Sequence, residues 1–368
     1  MIDFIPVPSY DDVFYNLLLF IVLMVYMQSK QHEIGNRINL KGKNALGIFL
    51  LVFSIVYIGL RPITFSHFGD MGMYNIYFVN YLDGAPLNLE GKDVGFELFM
   101  KGCSYIMEPQ FFFLTIAFLY IIPFYIVSKK LFKDFWFYSF FMLIISLSFW
   151  GSATNGLRNG VATSIFLFVF TTEKKYLRLI IILLAVSFHK SLLITSGAFI
   201  AAMYYKDTKM YLRAWFLAIP LSLALGGFWE NLFLTFGFGD DDKLTNYLVE
   251  NDELVEKFSS TGFRWDFLLY SAAGVFAGWY YIYKKKYDDP LYAQMFNTYL
   301  IANGFWILVI RANYSNRFAY LSWFMLALII IYPLLKSKLF TKQHLLIGNI
   351  ILFYFLFTYM LNIVFSKY

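Results

Sequence analysis

An all-α, polytopic integral membrane protein of about twelve transmembrane helices is what this sequence predicts, on three observations. The chain is 60% hydrophobic and only 15% charged, where a soluble globular chain carries about 25% charged residues. Long apolar runs recur from end to end of its 368 residues, as crossings of a hydrocarbon layer require. The basic residues between those runs collect on alternate connections, the pattern of the positive-inside rule.

The apolar segments lie near 13–28, 44–60, 109–127, 134–150, 157–171, 176–188, 191–205, 212–229, 265–283, 290–310, 317–335 and 343–365. Several are shorter than the usual ~20 residues of a span. The connections 29–43, 128–134, 172–178, 206–213, 284–289 and 336–342 hold 19 of the 30 Lys and Arg. All six fall on one face if every segment crosses, which predicts that this face is cytoplasmic and both termini are outside. Only 6 of the 24 acidic residues share that face.

Segments 176–188 and 191–205 are separated only by His189 and Lys190. Fusing them would invert the rest of the chain and put Lys284, Lys285 and Lys286 outside. The spacing therefore predicts a hairpin or two short helices, with His189 near the outer face. Segment 96–107 is too short and polar to span and reads as a re-entrant or interfacial helix. Two longer external loops are predicted, 61–95 with Arg61, His67, Asp70, Tyr74 and Asp93, and 230–264 with Asp240, Asp241, Asp242 and Arg264. With no internal repeat, linker or low-complexity stretch, one membrane domain over 1–368 is expected. The N-terminus carries Asp3, Asp11 and Asp12 and no basic n-region, so no cleavable signal peptide is expected. Cys103, the one cysteine, excludes an internal disulfide and reads as a packing residue.

The arginines are out of place. Of eight, only Arg37, Arg178 and Arg213 lie on the cytoplasmic face, while Arg61, Arg158, Arg264, Arg311 and Arg317 lie near outer ends of predicted segments. A charge at the centre of a membrane helix costs roughly 2.5–3.5 kcal/mol on insertion scales. Arginine presents a planar, permanently charged fork suited to phosphate. Several at one depth point to a strongly anionic ligand such as a lipid-linked diphosphate. The bland alternative is snorkelling or pairing with a nearby acid, for which Arg264 has Asp266 and Arg61 has Asp70. Arg158 has no acid between Asp134 and Glu173, and Arg311 and Arg317 bracket uncharged polar residues.

His189 is the one histidine within an apolar stretch, and an imidazole suits general-base work; alternatively it packs as a satisfied core histidine. Asp70 and Glu97 are the alternative proton acceptors. The four histidines are dispersed without metal-ligand spacing, and no glycine-rich nucleotide loop occurs. No metal, cofactor or nucleic-acid partner is expected.

The motifs as a set resemble the EpsG-type, Wzy-like bacterial polysaccharide polymerases. Gly59-Leu60-Arg61 with Asp70 and Tyr74 is similar to that family's "GLR…D…Y" start of the first external loop. Asp93-Val94-Gly95-Phe96 is similar to its "e-x-G-F" element, and Leu157-Arg158-Asn159-Gly160-Val161-Ala162 resembles "LRQxxA" with Asn in place of Gln. Phe188-His189-Lys190-Ser191 matches "fHxS", and Asn316-Arg317-Phe318 resembles a late "R-x-x-Y/F" element.

The resemblance implies a GT-C-like membrane glycosyltransferase in the plasma (inner) membrane, with its active site on the outer side. The growing glycan on undecaprenyl diphosphate would pass to the non-reducing hydroxyl of a new lipid-linked repeat unit, without a metal. On this reading Arg158 and Arg317 clamp the diphosphate, with Arg61, Arg264 or Arg311 assisting. His189, or failing it Asp70 or Glu97, activates the acceptor, and Tyr74, Tyr314 and Asn159 contact sugars. Implied partners are the lipid-linked donor and acceptor glycans, membrane lipids, a chain-length regulator and a flippase. Rival readings are a lipid-linked oligosaccharide flippase or other transporter, an O-antigen ligase, and a membrane O-acyltransferase. The transporter reading lacks two-half symmetry, and the acyltransferase reading leaves the outer arginines unexplained.

Overall fold

The structure, a computed structural model, describes residues 2–33, 35, 37–87, 93–235, 262–312 and 315–365. Every regular element among them is helical. The helices are α1 (Tyr10–Gln31), α2 (Arg37–Gly59), α3 (Gly69–Leu82), α4 (Val94–Ser104), α5 (Pro109–Phe132), α6 (Trp136–Ile144), α7 (Leu147–Thr154), α8 (Leu157–Phe166), α9 (Lys175–Phe188), α10 (Leu192–Tyr204), α11 (Thr208–Thr235), α12 (Trp265–Trp279), α13 (Pro290–Leu308), α14 (Asn316–Lys336) and α15 (Gln343–Tyr359). Their starts follow local chemistry. Proline, whose missing N–H costs nothing in a first turn, opens α5 and α13. Asp289 also accepts the Leu291 and Tyr292 amides at the start of α13.

Among the described residues, six helical runs are long and apolar enough to cross a membrane: Val7–Gln31, Leu40–Gly59, Pro109–Ile144, Thr208–Trp229, Asn316–Lys336 and Gln343–Val364. The protein is a polytopic membrane protein. The predicted break at His189 is present, since α9 ends at Phe188 and α10 starts at Leu192. The short helix foreseen near 96–107 is α4. Segment 134–150 is not one helix: Ile145 and Ser146 separate α6 from α7, and Ser146 folds its hydroxyl back onto the Leu143 carbonyl. Hydropathy averaged over the segment hides such a break, because side-chain-to-backbone bonding by serine competes with the helix ladder. Within the predicted loop 61–95 the chain forms α3. Of loop 230–264, Asp240, Asp241 and Asp242 lie outside the described residues.

The chain divides into two compact units, Met1–Leu192 with Ile331–Tyr368, and Leu193–Ile330. In the first, α5 is the hub, packed by α2, α3, α4, α6 and α8, while α15 lies along α1. An aromatic cluster joins α1, α2 and α7. Tyr10 and Tyr57 stack at 4.3 Å and each donates its hydroxyl to the other's carbonyl, and Phe14 meets Trp150 at 4.6 Å. Trp150 is thus a core residue. Outward faces carry Phe20, Leu23, Phe49, Val52, Leu179 and Leu183, the apolar surface that lipid accepts.

In the second unit α11 packs along α13, and α12 lies on α13. A buried polar knot ties four helices together. Asn303 accepts from the Trp215 indole at 2.8 Å and donates to Ser271 and Ser322 at 3.1 and 3.0 Å, and Trp323 donates to Ser271 at 2.7 Å. With its members satisfied by one another, such a network specifies one packing where apolar side chains alone would allow several. Residues 321–330 of α14 are buried on every face, consistent with a sequence that is apolar all round apart from Ser322.

Candidate functional site

Four elements of the first unit converge on Asp93. Its carboxylate sits just before α4 and is 3% exposed, yet it caps no amide of its own helix. Its Oδ2 accepts from Arg158 Nη1 at 2.8 Å and from His189 Nδ1 at 3.1 Å, and its Oδ1 accepts the Lys190 amide at 2.8 Å. Arg158 in turn donates from Nε to the Tyr74 hydroxyl at 2.7 Å, with its guanidinium 5.6 Å from the Tyr74 ring centre. Tyr74 comes from α3, Arg158 from the first turn of α8, and His189 and Lys190 from the break between α9 and α10.

The local sequence explains why these segments meet. Gly95, in the first turn of α4, lies directly on Ser187 at the end of α9; a Cβ there would come within 2.9 Å of the Ser187 carbonyl carbon and closer still to its hydroxyl. Only glycine lets the two backbones approach so closely. Gly160 does the same for α8, where a Cβ would stand 2.6 Å from the Ser152 carbonyl oxygen. Gly160→Ala should therefore push α8 off α7, costing about 1–3 kcal/mol by overpacking and lowering activity with it. Unfolding temperature and turnover measured together check this. Phe96 forms the apolar wall, against Tyr74 at 5.4 Å and Phe188 at 6.1 Å.

The electrostatics are specific. A cation in the first turn of a helix opposes the helix dipole by about 0.3–1 kcal/mol, and Arg158 is held there by Asp93. Burial of Asp93 favours its neutral form. The His189 hydrogen bond and charge, the Arg158 guanidinium and the Lys190 amide outweigh that, holding the carboxyl below the usual carboxylate range. Arg158 and His189 keep 25% and 21% of their side chains exposed, so both reach the surface of the site. An ionised Asp93 on Nδ1 assigns the proton of a neutral imidazole to that nitrogen and leaves Nε2 as the basic lone pair. Nε2 has no hydrogen-bond partner among the described residues.

The other sequence-derived candidates are placed as follows. Asn159, beside Arg158, is buried with its Oδ1 unpartnered among the described residues. Glu97 accepts the Tyr81 hydroxyl at 2.6 Å, and Asp70 stands half-buried in the first turn of α3. Arg61 is fully buried, donating to the Ile58 and Thr154 carbonyls, with its cation 5.2 Å over Phe68. In the second unit, Arg264 forms a bidentate pair with Asp266 at 2.9 and 2.6 Å and stacks on Phe267. Arg311 is exposed and reaches the Leu223 carbonyl at 3.4 Å, and Arg317 stands in the first turn of α14. Tyr314 lies outside the described residues. Asp93 heads the element similar to "e-x-G-F" in the sequence, but sequence reasoning gives it no place among the site residues. Its signal was the glycine two positions on, a mark of close backbone approach.

The family model described as EpsG family matches residues 44–368, a range that holds the whole cluster. No curated protein and no solved structure matches the chain.

Proposed function

The chain belongs to the EpsG family, and on that footing we propose that it is a membrane glycosyltransferase that polymerises lipid-linked repeat units into polysaccharide. The donor is a growing glycan on undecaprenyl diphosphate, and the acceptor is the non-reducing hydroxyl of a new lipid-linked repeat, both on the outer face of the plasma membrane. The observation that carries this reading is the Asp93–His189 pair with Arg158 on the same carboxylate oxygen.

In the reaction the bond between the anomeric carbon and the diphosphate oxygen breaks, and its electron pair leaves on the diphosphate. The acceptor oxygen forms the new bond to that carbon and its proton passes to His189 Nε2. Asp93 keeps the imidazole in the productive tautomer and stabilises the imidazolium that results, the role a buried carboxylate plays beside a histidine base. Arg158, positioned by Tyr74 and Asp93, offers the leaving diphosphate a fixed cation without solvent reorganisation. No step in this scheme calls for a metal.

Purified protein given lipid-linked repeat units in vesicles without an ion gradient should lengthen glycan chains. Failure to do so, with transport of the same lipid across the bilayer, would favour a flippase. His189→Ala should lower elongation by about 10²–10⁴-fold. Elongation at the wild-type rate and normal protein abundance would remove His189 from the base role.

A further inference from the structure

A cavity lies in the first unit, at the other end of α5 from the Asp93 cluster. It measures about 250 Å³, roughly eight water volumes, and its lining includes Glu33, Phe135, Lys336, Lys338, Gln343 and His344. The two sites are tied to opposite ends of one helix. Phe112, near the start of α5, packs on Phe96 of the Asp93 site, and Phe132, its last residue, packs on Tyr332 under Lys336. Twenty residues of helix make about 30 Å, the thickness of a bilayer's hydrocarbon core. The cavity therefore sits one membrane thickness from the proposed reaction, at the end where Lys129, Lys130, Lys133, Lys336 and Lys338 collect.

The cavity's rim is pre-built. Gln343 donates to the Leu334 and Ser337 carbonyls at 2.6 and 2.9 Å and accepts the Leu339 and Phe340 amides at 2.7 and 3.2 Å. One side chain thus fixes the whole 337–342 turn and uses its backbone polar groups internally. Lys336 is propped by aromatic faces, 5.4 Å from Tyr332 and 5.8 Å from Phe132. Among the described residues Lys338 and His344 have no ion pair or hydrogen bond, and Glu33, the only acid in the lining, pairs with neither. Lys336, Lys338 and His344 around a small cavity at headgroup depth, against the single carboxylate of Glu33, match the chemistry of a phosphodiester.

We propose that this cavity binds the phosphodiester headgroup of a phospholipid in the lysine-rich leaflet, holding α14, α15 and the α5–α6 junction in register. A free phosphate offers the same anion without the acyl anchor, so the two sources are separable. The test uses the purified full chain in detergent, with phosphatidylglycerol and inorganic phosphate as probes and the unfolding temperature as readout. Phosphatidylglycerol should raise the unfolding temperature by about 3–5 °C, and inorganic phosphate should leave it unchanged. The rise should vanish in Lys336→Gln/Lys338→Gln, and in Lys338→Glu should the double variant yield no folded protein. The proposal is overturned by no rise, by a full rise in these variants, or by a rise that inorganic phosphate reproduces.

Discussion

Asp93→Asn should lower glycan elongation by on the order of 10³-fold, within the range general-base catalysis supplies, although Asp93 itself touches no substrate. The amide removes the charge that stabilises an imidazolium and no longer dictates which His189 nitrogen keeps the proton. It also strands Arg158 in the first turn of α8 without its counter-charge. Removing one partner of a buried pair costs about 3–5 kcal/mol; exposure of a fifth to a quarter of Arg158 and His189 brings this down to about 2–3 kcal/mol. The acid dependence has a definite sign. The folded carboxyl is held below its ordinary value, so its stabilising contribution is fully present above the unfolded value of about 3.9 and is lost as pH falls through the folded one. The gap in unfolding temperature between wild type and Asp93→Asn should hold from neutral pH to about pH 5 and close below pH 4. Equal elongation by the two proteins would remove Asp93 from the mechanism.

Arg158→Lys should be the second severe variant, lowering elongation by about 10²-fold or more while sparing the fold. Lysine keeps the charge beside Asp93 and so avoids a stranded carboxylate. It loses the two-point geometry in which Nη1 meets Asp93 and Nε meets Tyr74, and with it the orientation of the face offered to the diphosphate. Chain length of polymer at matched protein abundance reads this out. Long polymer at normal levels would show that charge alone suffices.

Much of this was legible in the sequence, and what was not has physical causes. The break at His189 followed from charge distribution, because fusing α9 and α10 would have put three lysines outside. Arg158 stood out because no acid lay near it in the chain; its partner comes from 65 residues upstream, a distance that no local pattern reports. Arg61 looked like a ligand residue by its place near the outer end of a predicted segment, with Asp70 as the alternative partner in its loop. Its guanidinium instead meets the carbonyls of Ile58 and Thr154, which belong to the last turns of α2 and α7, where helices leave carbonyls without internal partners. A sequence shows where a helix ends but not which distant side chain satisfies that end. Arg264 was the easier case, since Asp266 was visible two residues away. The split of 134–150 into α6 and α7 was hidden because hydropathy registers composition, and Ser146 interrupts the ladder without interrupting the apolar character.

The central claim is that Asp93 and His189 act as one unit, and a double-mutant cycle in reconstituted vesicles tests it most directly. Elongation rates would be measured for wild type, Asp93→Asn, His189→Ala and the double variant, at matched protein abundance. Because Asp93 works through His189 and also holds Arg158, the double variant should be slower than His189→Ala alone by far less than the full Asp93→Asn effect, since residues that act together lose most of their effect together. Losses that multiply, with the double variant slower by the product of the two single effects, would contradict the account.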